Sequence, residues 1–252
     1  MAQDTPTAEA GKLGPFLATV LVASMMIGSG VFLLPASLAQ TGGMTIITWV
    51  ICSVGALCLA GVFAGLASIH PTPEGMIEYS RMALGRYFGF QASIAYWISM
   101  WTAQAALSLA TVGYLAHFVP VLAQPWPAVL AAIGVMWLIT FIALIGPRAL
   151  AKFGAVTLAF GLLPVLAVAL FGWFWFNPSV YAAGWNTSGK PMAVGIVATL
   201  VPVFWAFTGL EASTVSASVV RDPRRNIPIA VVGGVALTAL VYIAACTAIM
   251  GM

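Results

Sequence analysis

Continuous apolar runs of about twenty residues, repeated along the chain, limit what it can fold into more than any other feature. They lie near 14–38, 44–68, 90–118, 127–146, 152–176, 195–219 and 229–251. A helix of that length crosses about 30 Å of hydrocarbon at 1.5 Å per residue. Inside a bilayer the backbone must satisfy its own hydrogen bonds, which leaves only helices or closed barrels. Barrel strands alternate apolar and polar residues over about ten positions, whereas these runs are unbroken. The expectation is an all-α polytopic membrane protein of about seven spans. Composition excludes a soluble domain as well: of 252 residues, 62% are hydrophobic and only 6% charged, against about 25% charged in ordinary soluble proteins.

Charge then speaks to topology. Nine Lys and Arg stand against six acids, a net of +3 with no basic patch, so nucleic acid is not an expected partner. With the N-terminus inside, Lys12, Arg81, Arg86, Arg148, Lys152, Arg221, Arg224 and Arg225 fall on the cytoplasmic side and only Lys190 outside, as the positive-inside rule requires. Trp126, Trp173, Trp175, Tyr181 and Trp185 collect at the external ends of their spans, as an interfacial belt does. The Arg221–Arg225 cluster suits anionic membrane lipid. The polar start, with Asp4 and Glu9, reads as a cytoplasmic tail over 1–13 and not as a cleaved signal peptide. Residues 71–88 are too polar to span and are expected to form a connector helix. Cys52, Cys58 and Cys246 lie inside apolar runs at spacings that suit neither disulfides nor a metal, and no cofactor motif occurs.

Two spans carry residues that an uninterrupted helix does not favour. In the first, Gly28, Ser29 and Gly30 follow Met26 and Ile27 near mid-span. Unwinding there would present bare N–H groups to an anion such as a carboxylate; alternatively, the small residues only allow close helix packing. In the sixth, Pro202, Trp205, Thr208 and Gly209 precede Glu211, the one acid placed inside a span. An intramembrane carboxylate is costly and points to a proton relay or a cation partner, unless neighbouring hydroxyls and backbone groups simply satisfy it. Interruptions in the first and sixth spans occupy corresponding positions of two inverted halves, the arrangement of many secondary transporters.

Four segments carry a family resemblance: GSGVFLLPASLAQTGG at 28–43, GFQASIAYW at 89–97, FGWFWF at 171–176 and WAFTGLEASTVSASVVRDPRRNIPIA at 205–230. They resemble the basic amino acid and polyamine antiporters of the amino acid–polyamine–organocation superfamily, and within it the arginine/agmatine exchangers. The resemblance implies a bacterial inner-membrane exchanger, not an enzyme, with two five-helix inverted repeats. Here these would be a first repeat over 14–176 and the start of a second over 195–252. It implies exchange of external arginine for agmatine, supporting acid resistance, with an ornithine/putrescine or lysine/cadaverine exchanger, or another amino acid permease, as the alternative. Ending after its seventh expected span, the chain is expected to be a piece of such a transporter, without the terminal helices that form the family's homodimer.

Residue by residue, the resemblance assigns the substrate head group to Met26, Gly28, Ser29 and Gly30, with the carbonyls of Met26, Trp205 and Thr208 accepting from the amine. Trp205 would stack on the substrate stem, Tyr96, Ser99, Met100 and Gln104 would line the distal pocket, and Glu211 would couple protonation. Departures from the arginine/agmatine pattern are Gln104 for Asn, Met25 for Asn, and two acids, Glu74 and Glu78, in the connector. Other classes fit less well: no lysine sits at mid-span to hold a retinal, and Glu211 has no second carboxylate or histidine for enzyme chemistry. A non-transporting fragment is the remaining alternative.

Overall fold

The computed structural model describes residues 13–28, 30–70, 75–211 and 220–252, apart from the side chains at 33, 147, 148, 150, 151 and 223. Lys12, Ser29, Glu74, the Arg148 side chain and the last third of the sixth expected span, 212–219, lie outside these residues.

Helices account for nearly all of the described chain: α1 (Pro15–Met26), α2 (Gly30–Leu38), α3 (Thr45–Ile69), α4 (Met76–Leu84), α5 (Arg86–Leu115), α6 (Pro125–Ile145), α7 (Pro147–Phe171), α8 (Pro178–Ala183), α9 (Met192–Trp205) and α10 (Pro223–Met250). Proline opens α1, α6, α7, α8 and α10, because its fixed φ suits a first turn whose N–H groups have no partner within the helix. Four stretches are long and apolar enough to cross a membrane: Thr45–Ile69, Pro125–Ile145, Lys152–Trp175 and Arg224–Met250. The 30 residues of α5 also suffice in length, but Gln91, Ser93, Ser99, Thr102 and Gln104 dilute its hydropathy. With 12 and 9 residues, α1 and α2 reach about 18 and 14 Å, so neither crosses alone. At 14 residues, α9 is short as well.

Contacts divide the chain into two units, Met1–Tyr79 with Gly161–Met252, and Ser80–Phe160. In the first, α10 is central: more than half of its apolar window is buried, against a third for α3. Ile227, Val231, Val235, Thr238, Tyr242 and Ala245 recur at helical spacing as its buried stripe, and α10 packs chiefly on α3 and α1. Small residues allow that approach: a Cβ built on Gly234 would lie 2.6 Å from Val22 Cγ1. A buried hydroxyl pair, Thr48 and Thr199 at 2.8 Å, ties α3 to α9. At one end of the unit the Arg221 N–H donates to the Leu13 carbonyl at 2.9 Å. At the other, the Gly43 and Met44 N–H groups donate to the Gly184 and Trp185 carbonyls, and Tyr181 Oη donates to the Gly43 carbonyl, each at 2.9 Å. In the second unit α5 packs on α6, with Ser108, Val112 and Ala132 among the few buried positions.

Helix limits depart from the expected spans at polar ends. The connector helix stops at Leu84, and Arg86–Phe88, expected within it, open α5. The last span begins at Pro223 and not near 229, because α10 takes Arg224 and Arg225 into its first turn. Apolar counting finds where lipid begins, whereas hydrogen bonding lets a helix continue into the polar interface.

Glu78 sits in the first turn of α4 and Arg81 in its last, each complementing the helix dipole. Beside Glu78, the Tyr79 hydroxyl is buried with no hydrogen-bond partner among the described residues, and burial pushes its pKa up. Tyr79→Phe is therefore expected to leave the protein as stable or stabler by about 1 kcal/mol. Because the folded state favours the neutral phenol, wild-type stability should hold below about pH 10 and fall as pH rises from there through the higher folded pKa. Melting curves of wild type and variant at about pH 8 and pH 11 check this: the wild type should lose more on alkalinisation.

Candidate functional site

The first break lies where α1 stops. Ile27 leaves helical dihedrals at φ −75° and ψ 94°, and its N–H makes the last bond of the ladder, to the Ala23 carbonyl at 2.9 Å. Gly28 follows, and α2 begins at Gly30. Gly28 is exposed, and a Cβ built on it meets nothing closer than the Met26 carbonyl oxygen at 4.0 Å. Helix packing is therefore not what requires a glycine there. The Met26 carbonyl has a partner from far along the chain: Tyr242 Oη, fully buried in α10, donates to it at 2.8 Å.

The second break follows α9, which contains Pro202 and ends at Trp205. Proline lacks an N–H and strains the preceding turn. Residues 206–211 form turns, with the Thr208 N–H and Oγ1 both donating to the Trp205 carbonyl, at 3.1 and 2.7 Å. Gly209 has φ +104°, and its N–H donates to Glu211 Oε2 at 2.9 Å. Glu211, half-buried, thus closes the turn with one carboxylate oxygen.

The two breaks touch. A Cβ on Gly209 would lie 2.7 Å from the Met25 carbonyl oxygen and 3.7 Å from Met26 Cα, so the turn after α9 rests with bare backbone on the end of α1. Behind this contact Trp49, Phe207 and Tyr242 form an aromatic triangle with ring centroids 5.3, 5.8 and 6.1 Å apart. One ring comes from α3, one from the second break and one from α10. An open apolar groove of about 530 Å³ runs between α3 and α9, lined by Ile51, Cys52, Leu200, Val201, Phe204 and Trp205.

Met26, Gly28, Gly30, Trp205, Thr208 and Glu211 thus belong to one unit, with Met26 and Glu211 meeting through Gly209. Tyr96, Ser99, Met100 and Gln104 lie in the second unit, spaced along one face of α5, with Ser99 Oγ donating to the Tyr96 carbonyl at 2.7 Å. The sequence reading overlooked Trp49, Phe207 and Tyr242. A tyrosine in mid-span was the available signal, since a buried phenol seeks a hydrogen-bond partner.

This geometry defines a class: a multi-pass helical membrane protein whose two interrupted helices meet where their backbone ladders stop. The chain belongs to the amino acid permease family, whose profile matches residues 13–252. It is 39% identical over 243 residues to a cadaverine/lysine antiporter of Escherichia coli K12, covering 96% of this chain and 54% of that protein. It is 34% identical to the putrescine transporter PotE of the same strain, covering 97% of this chain and 56% of the relative. To the PotE of Haemophilus influenzae it is 31% identical, covering 98% and 57%. The chain spans about half the length of these curated relatives.

Proposed function

We propose that the protein is the larger part of an antiporter that exchanges a cationic amino acid for its decarboxylated amine by alternating access. The observation that carries this reading is the backbone contact between the two helix breaks, Gly209 against Met25. It brings the backbone where both helix ladders stop and one carboxylate, Glu211, to a single place, a fit for a zwitterionic head group. Met26, Gly28, Ser29 and Gly30 hold that head group, and Trp205 and Thr208 the stem. Glu211 gains or loses the coupled proton. The N-terminus is cytoplasmic, the repeats run over 14–176 and from 195 onward, and the complete protein is a homodimer.

Lysine with cadaverine is the pair taken forward, supported by the similarity to a cadaverine/lysine antiporter; ornithine with putrescine and arginine with agmatine are the comparators. Decarboxylation inside the cell consumes a proton, so each exchange cycle removes acid. Counterflow into proteoliposomes loaded with cadaverine, putrescine or agmatine tests this, using the chain alone and the chain completed through the remaining spans. Uptake of labelled lysine against cadaverine is the expected result. Arginine uptake against agmatine alone would move the assignment to that pair, and no uptake of any cationic amino acid by either protein would sink the antiporter reading. The same assay at two external pH values reads the Glu211 role: Glu211→Gln should flatten the pH dependence.

A further inference from the structure

We infer that Tyr242 is the positioning residue that holds the first helix break open, an inference resting on the reading of that break as the head-group site. In a continuous helix the Met26 carbonyl would accept from the Gly30 N–H, four residues on. The ladder stops at Ile27, so this carbonyl, on the buried residue Met26, needs another donor. Tyr242 Oη supplies it at 2.8 Å from 216 residues away in sequence.

The phenol is held in place. Tyr242 is fully buried, and its ring packs on Trp49 at 5.3 Å and on Phe207 at 5.8 Å. Phe207 belongs to the second break, so a single side chain braces one interruption by hydrogen bond and the other by packing. Without the hydroxyl, the donor that a continuous helix would offer the Met26 carbonyl is the Gly30 N–H, and taking it closes the helix over the groups that would receive the substrate. An amino acid uses those groups for both its carboxylate and its α-amine. The decarboxylated amine uses them only for its ammonium, so the two substrates report differently on the state of the break.

Tyr242→Phe retains the ring and removes only the hydroxyl. In proteoliposomes of the completed protein, KM for lysine is expected to rise about tenfold, equivalent to about 1.4 kcal/mol, and KM for cadaverine by about threefold or less. Protein yield and Vmax should stay within about twofold of wild type. Unchanged KM values, or equal rises for both substrates, would overturn the inference, as would a fall in Vmax alone, the mark of a purely packing role. Hydrogen exchange needs no substrate: a peptide covering 26–31 should exchange more slowly in the variant while α6 peptides do not change. Unaltered or faster exchange there overturns the inference on its own terms. Slower exchange in a protein that moves no cationic substrate keeps it and rejects only the transport reading.

Discussion

On the proposed antiporter reading, Gly209→Ala is expected to weaken substrate binding while leaving most of the helices formed. At φ +104° an alanine is strained by about 1–2 kcal/mol. Its methyl would also lie 2.7 Å from the Met25 carbonyl oxygen, a backbone atom that cannot rotate aside. The turn after α9 must lift from the end of α1, and the two breaks separate. A loss of at least about 2 kcal/mol, about thirtyfold in affinity for the cationic amino acid, is expected. Circular dichroism should show helix content close to wild type. Gly28→Ala is the matched comparison, because a methyl there meets nothing within 4 Å except the Met26 oxygen at that limit: it should fold normally and lose affinity only by filling substrate space. If Gly209→Ala binds as wild type does, the contact between the breaks does not form the site.

The largest loss of stability belongs to Trp49→Ala. Trp49 is 1% exposed and stands in the aromatic triangle with Phe207 and Tyr242. Lipid tails are as apolar as the core, so the penalty comes mainly from lost packing and the cavity left behind, as at other helix interfaces in membranes. Truncations of this size cost about 3–5 kcal/mol in protein cores. The indole N–H has no partner among the described residues, so its removal returns a part of that. Thermal unfolding in detergent should show a drop of several degrees for Trp49→Ala and almost none for Trp126→Ala, whose side chain is 79% exposed. Equal effects would mean that the triangle does not organise the unit.

Both variants probe the place where sequence reading reached its limit. The number and length of the apolar runs, the Gly28–Gly30 interruption and the Pro202 to Glu211 stretch were legible, because lipid imposes length and composition on each segment independently of its neighbours. Membership of the amino acid permease family follows from the order of residues alone. Helix ends were less legible: apolar counting placed the last span near 229, yet α10 starts at Pro223, since its first turn carries arginines in a polar setting.

Partnership was not legible at all. A phenol in mid-span signals that Tyr242 needs a hydrogen-bond partner, but nothing local names it: the Met26 carbonyl that it caps is 216 residues away. Gly28 and Gly209 look alike as letters, yet one faces open space and the other lies on the backbone of Met25. A residue's tendency to break a helix is local and can be read from composition. Which orphaned backbone group meets which donor depends on how α1, α3, α9 and α10 pack, and tertiary structure alone decided that.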